Sequence, residues 1–247
     1  MPIDRGIWAT WYDLPEGGRT DFLSWLHEIH LPEVAQRPGY LWAGHYEIAD
    51  SSSRMNRVKD KLTYTDLSDV GGGTQFLVLR GAASPHVFCD PNPAQLVEHQ
   101  SAEVGEMLGR RIGVRSCIFA EEARVDGPEV RGRAPGLTPG PAIQMGSFVA
   151  NSLEAELDLG AWYAQYRLPS MGRMPGCVGA RKLVSIAGWA KHSILYEFTS
   201  LDAREENFQK HEELSIDEKE WSGKVIRYLT HAPGSPSVGR RIWPAAR

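Results

Sequence analysis

The chain has 247 residues, a formal net charge of −4, and 42% hydrophobic and 23% charged residues. That balance excludes the basic footprint of a nucleic-acid binder, and no apolar run approaches the roughly 18 residues of a membrane span. Three scattered cysteines, Cys89, Cys117 and Cys177, make neither a disulfide framework nor a zinc knuckle. Free, mostly buried thiols in a reducing cytoplasm are expected. The start MPIDRGIWATW lacks the charged-then-apolar order of a signal peptide.

Gly6–Tyr12 is short and aromatic, a first strand. From Thr20 the spacing of Phe22, Trp25, Leu26 and Ile29 predicts a helix, which ends or kinks at Leu31 because Pro32 follows. Pro38-Gly39 turns the chain into a second strand, Tyr40–Ile48. Ala49–Gly73 is a long polar insertion, either a lid hinged at Gly71-Gly72-Gly73 or a disordered surface loop. A third strand covers Thr74–Arg80, a helix Pro93–Leu108 starts near Asn92, and a fourth strand covers Val114–Glu121. The Gly-, Pro- and Arg-rich stretch Glu122–Pro141 reads as a linker.

The order then recurs. Strands are expected at Ala142–Val149, Gly176–Ser185, Lys191–Thr199 and Val225–His231, with helices at Glu154–Arg167 and Leu201–Glu213. The tail from Ala232 is expected either to wrap over the body, held by Ile242 and Trp243, or to be loose. Trp25, Leu31, Pro32, Pro38, Gly39 and Ala43 return as Trp162, Leu168, Pro169, Pro175, Gly176 and Ala180, at one constant offset. The same offset pairs Ala9, Thr10 and Trp11 with Gly146, Ser147 and Phe148. A duplication of this kind implies two copies of one unit of roughly 110–120 residues.

Each copy reads β-α-β-β-α-β, the ferredoxin-like split motif with both helices on one sheet face. The expected fold is α+β: two fused units, 1–122 and 142–247 with a linker at 123–141, packed sheet to sheet as an intramolecular α/β barrel. Its interior is the expected place for a small ligand.

Trp25, Glu28, His30 and Pro32, followed by Pro38-Gly39-Tyr40 and an aromatic strand, resemble the dimeric α/β-barrel superfamily, here as a tandem, EthD-like version. The resemblance implies the barrel. Its members include cofactor-free monooxygenases, muconolactone-type isomerases, polyketide cyclases, haem enzymes and binding modules, and fold analogy does not choose among them.

His30 and Glu28 are the candidate catalytic pair. A helix C-terminus would favour a charged His30 with a pKa near working pH. In the second copy these positions are Arg167 and Gln165. His27 and His30 are three residues apart, not the four of a zinc-binding helix, so His27 reads as solvated and no metal is expected. Candidate substrate-binding residues are Tyr12, Trp42, Tyr46, His45, Arg167, Arg181, Tyr196 and His192. His86, His99, His211 and His231 look peripheral. No nucleophile elbow or dinucleotide fingerprint is present.

The expected function is a cofactor-independent enzyme on a hydrophobic, aromatic small molecule, of isomerase, cyclase or lyase type. The alternatives are a cofactor-free monooxygenase and a non-catalytic binding or assembly module. The expected partners are a small-molecule substrate and a second copy in a homodimer, with no nucleic acid and no membrane.

Overall fold

Eight strands close into an antiparallel barrel. The computed structural model describes residues 4–49, 61–130, 139–211 and 219–245. In chain order the strands are β1 (Gly6–Asp13), β2 (Tyr40–Ile48), β3 (Thr63–Tyr64), β4 (Phe76–Ala82), β5 (Ile112–Asp126), β6 (Ala142–Ala150), β7 (Cys177–Ala187), β8 (His192–Phe198), β9 (Leu229–His231) and β10 (Ser237–Trp243). The sheet order is β10-β2-β4-β1-β5-β7-β8-β6, and β10 also pairs with β6, which closes the ring.

Two strands hold the halves together. β5 pairs with β1 through its first half and with β7 through its second. It runs to Asp126, so residues 123–126, expected in the linker, are strand. In the second half the corresponding work is split between two strands. The short β9 pairs with β6, and β10 then crosses to β2. The tail expected to wrap over the body is therefore a barrel stave. The strand expected over Val225–His231 shrinks to β9, because Trp221 and Val225 share one helical face and pack inward on helix Trp221–Arg227.

The barrel interior is solid. Trp11, Tyr46, Leu77, Leu79 and Phe119 from the first half meet Ile143, Met145, Leu183 and Leu195 from the second, all with 0% exposure. Among the described residues the space where a chamber was expected is occupied by these side chains. At one end lies a buried charge network. Arg181 donates to Glu197 Oε1 and Asp4 Oδ2, both at 2.9 Å. Trp42 Nε1 also donates to Asp4 (2.7 Å), and Arg124 pairs with Asp4 at 2.8 Å.

Helices cover the outside of the wall. In the first half a continuous helix spans residues 19–35, as α1 (Arg19–Trp25), a π-helical turn (Leu26–His30) and α2 (Leu31–Ala35). The segment expected over Pro93–Leu108 is two helices, α3 (Pro93–Glu98) and α4 (Ala102–Gly109). Asn92 caps the first and Ser101 the second. In the second half α5 (Leu153–Trp162), a π-helical turn (Tyr163–Arg167) and α6 (Leu168–Met171) repeat the first arrangement. Gly39 and Gly176 both take positive φ, 82° and 78°, as the turn after each Pro requires.

The constant offset slips at the first strand. Tyr12 pairs with Phe76 and Phe148 with His192. Tyr12 and Phe148 both face helices, whereas Trp11 faces the interior. Trp11 therefore matches Ser147, not Phe148.

The insertion is described only from residue 61, and the lid expectation falls largely outside the described residues. Thr63–Tyr64 pairs parallel with β9 of the other half. Gly71 and Gly73 lie against the backbones of Val114 and Tyr12, with carbonyls held by Arg115. They serve close packing rather than a free hinge.

Candidate active site

The π-helical turn decides which residues face the sheet. Proline at 32 has no N–H, and its ring would crowd the Glu28 carbonyl in a regular helix. The Leu31 amide instead bonds to the Leu26 carbonyl, five residues back. The extra residue in that turn rotates Ile29 outward, 48% exposed, and His30 inward, 5% exposed. Glu28 is exposed and lies on the solvent side, apart from His30. The second half makes the same adjustment before Pro169, where the Leu168 amide reaches Tyr163.

His30 lines a cavity of about 170 Å³ between the outer wall of the barrel and the helices. A cavity of about 150 Å³ holds a benzene ring. Trp8, Thr10, Arg80 and Ser116 form the floor, from β1, β4 and β5. Val34 and Arg37 join His30 on one side, and Leu96, Val104, Leu108 and Arg111 close the other.

Electrostatics in this cavity are one-sided. Among the described residues it is lined by three arginines and by no carboxylate. Arg80 is 6% exposed; its guanidinium donates to Thr10 Oγ1 (3.2 Å) and lies 4.5 Å from the Trp8 ring centre. Burial pushes its pKa down to about 10. A hydroxyl network fixes the floor: the Trp8 indole donates to Ser116 Oγ (2.5 Å), which lies 3.2 Å from Thr10 Oγ1. His30 stacks on Trp25 at 4.9 Å. Burial, then Arg80, Arg37 and Arg111, push its pKa down to about 3. The charged His30 expected from a helix end is overturned twice over: the helix runs on to Ala35, and the cations disfavour a further positive charge. Burial and the neighbouring guanidiniums therefore favour the uncharged ring of His30.

A second histidine chain lies next to this cavity. Tyr12 and His45 Nε2 are 2.8 Å apart, and His45 Nδ1 and His27 Nε2 are 2.7 Å apart. His45 is completely buried, and burial holds its pKa well below the usual value. His27, expected in solvent, is half-buried and stacked on Trp243 of the tail. Arg111 joins this group to the cavity, 5.6 Å from the Tyr12 ring centre.

The other sequence-derived candidates fall elsewhere. Trp42, Tyr46 and Arg181 belong to the barrel interior. The Tyr46 hydroxyl donates to the carbonyls of Pro139 and Gly140. Arg167 and Tyr196 sit under the helices of the second half, where the Arg167 guanidinium lies among the rings of Trp162, Tyr196 and Phe208. His192 contacts Lys182 Nζ at 3.1 Å and faces Phe148. His231, expected at the periphery, is 6% exposed beside Phe148 and Tyr64. Sequence reasoning passed over Arg80, Arg111 and Arg37. Arg80 carried a readable signal: it is the lone cation of an apolar strand and follows Phe76 and Val78 at period two.

No sequence-family profile matches the chain, and no curated relative matches it. Solved structures do. A candidate monooxygenase from Fusobacterium nucleatum superimposes over 98% of this chain and 94% of its own, with a TM-score of 0.58 and 8% identity. An anthrone oxidase-like protein covers 97% and 92%, with a TM-score of 0.53 and 10% identity. A candidate chlorite dismutase covers 97% and 96%, with a TM-score of 0.52 and 11% identity. What they share with this chain is the dimeric α/β-barrel fold. At such identities the likeness is one of fold alone.

Proposed function

We propose that this chain is an enzyme acting on a hydrophobic, aromatic small molecule by proton transfer. Isomerisation, cyclisation or elimination is the reaction type, and His30 is the catalytic base. The observation that carries this reading is a buried imidazole on the wall of a cavity whose charged lining groups, among the described residues, are all guanidiniums. Burial and the cations make His30 a weak base in the free protein; an anionic substrate among the guanidinium groups restores part of its basicity, and the same groups stabilise the electrons left when the proton is taken. Trp8 and the aliphatic wall offer a flat apolar surface. On the same reading the chain is a tandem fusion of two ferredoxin-like units, residues 1–122 and 142–247. The repeated π-helical turn and the repeated Pro-Gly corner support this, and only the first unit keeps the catalytic residue. A cytoplasmic setting is supported by three free thiols. A homodimer is supported by Leu153 and Leu157, exposed one turn apart on α5.

A second reading is a cofactor-free oxygenase, in which the same proton abstraction yields an enolate or phenolate that then reacts with dioxygen. The monooxygenase and anthrone oxidase-like neighbours favour keeping it. Deuterium exchange of aromatic ketones and phenols, followed by NMR in D₂O, tests the first reading, and an oxygen electrode tests the second. Exchange catalysed by the wild type and lost in His30→Gln supports proton transfer. Ligand binding with neither exchange nor oxygen uptake would leave a binding module.

A further inference from the structure

Among the described residues the cations of the cavity have no counterions. Arg80 has one hydrogen-bond partner, the Thr10 hydroxyl, and its buried Nε has none. Arg111 donates to the Leu108 carbonyl. Among the described residues neither of them, nor Arg37, forms an ion pair, while Arg124, Arg181 and Arg240 all do. Burying a cation without a partner costs several kcal/mol and is not kept by stability alone. Arg80 lies on β4 between Leu79 and Gly81, where the position on β8 that shares its face, Tyr196, is aromatic. The second half carries its cation on the helix instead, as Arg167 against Tyr196, so the fold does not dictate a charge at this strand position.

We infer that the cavity takes a small aromatic carboxylate. Its carboxylate supplies the missing counter-charge to Arg80, with Arg111 and Arg37 at the rim, and its ring lies on the apolar wall of Val34, Leu96 and Leu108. A planar guanidinium matches a planar carboxylate. The apolar lining argues for a ring-bearing ligand over a bare inorganic anion, and the volume suits one ring. This rests on the proposed small-molecule site and adds the charge of its ligand.

The test uses pairs of probes alike in shape and different in charge: benzoate, phenylacetate and cinnamate against benzamide, phenylacetamide and cinnamamide. Acetate and inorganic phosphate complete the set. Binding to the whole chain is read by calorimetry and by the shift in melting temperature. At least one acid is expected to bind about tenfold or more tighter than its amide. Arg80→Met is expected to lose that preference while melting at or above the wild-type temperature, because an unpaired buried charge has been removed. Arg80→Lys keeps charge without the planar fork and is expected to fall between. Amides binding as tightly as acids would overturn the charge assignment and leave the pocket standing. Phosphate or acetate binding as well as the ring acids would overturn the aromatic assignment. An undiminished acid preference in Arg80→Met would move the anion away from Arg80 and overturn the inference. Failure of every acid and amide to bind would overturn both this inference and the small-molecule site.

Discussion

The imidazole of His30 lies face to face with the indole of Trp25, with ring centres 4.9 Å apart and planes 18° from parallel. At the matching place in the second half, the Arg167 guanidinium lies 4.8 Å from the Trp162 ring. One scaffold thus presents an uncharged base on one side and a cation wedged among three rings on the other. His30→Gln should abolish turnover while the melting temperature drops by only a few degrees, since the loss is one stacking contact worth about 0.5–1.5 kcal/mol. Retained turnover in a folded His30→Gln variant would remove His30 from the chemistry.

The pH profile of that base should depend on what is bound. In the free protein burial and, after it, three cations hold His30 protonation to about pH 3, so kcat/KM should show no acid limb near pH 6.5. An anion beside Arg80 offsets part of that positive field and raises the His30 pKa in the complex. The acid limb of kcat should therefore lie at higher pH than that of kcat/KM. Coincident limbs would argue against a cationic field acting on His30.

Acid should weaken the fold before carboxylates titrate. His30 is lowered to about 3 and His192 and His231 to about 4, chiefly by burial, and burial lowers His45 as well. Unfolded histidines bind protons near pH 6.5, so below that value the unfolded chain holds protons the native chain lacks. Stability is complete above pH 6.5 and falls as pH drops toward 4. Each histidine adds a slope of up to about 1.4 kcal/mol per pH unit. Urea midpoints at pH 7.5, 6.5 and 5.5 should show the decline, with a shallower slope in His231→Phe. A flat response to pH 5 would contradict the burial of these rings.

The charge network in the barrel end should be costly to break. Burial alone would raise the Asp4 carboxyl; Arg181 and Arg124 outweigh it and hold its pKa at about 2. Asp4→Ala leaves Arg181 with one carboxylate and the Trp42 indole with no acceptor. A loss of about 3–5 kcal/mol is expected in chemical denaturation. A change below about 1 kcal/mol would mean that water replaces the carboxylate.

Much of the architecture was legible because it was written twice. Trp25 and Trp162, Pro32 and Pro169, and Gly39 and Gly176 fix the same helix, kink and corner in each half. What the periodicity could not show was the π-helical turn. A strict 3.6-residue count puts Ile29 inside and makes His30 a helix end. The extra residue forced by Pro32 exchanges them. The site was legible in part for a related reason. His30 stood out as a titratable group missing from the second copy, but Arg80 was hidden in a strand that reads as core. Long-range pairing decided the rest. Strand β10 follows a stretch of prolines and glycines, and its bond to β2 spans nearly the whole chain, so no local pattern announces it.

That last strand has a consequence for assembly. It arrives after Ala232-Pro233-Gly234-Ser235-Pro236 and fills a slot between β2 and β6 that any identical strand would fit equally well. Two molecules that exchanged this strand would keep its pairings with β2 and β6 and would re-form only the Ala232–Pro236 connection, so high protein concentration favours exchange.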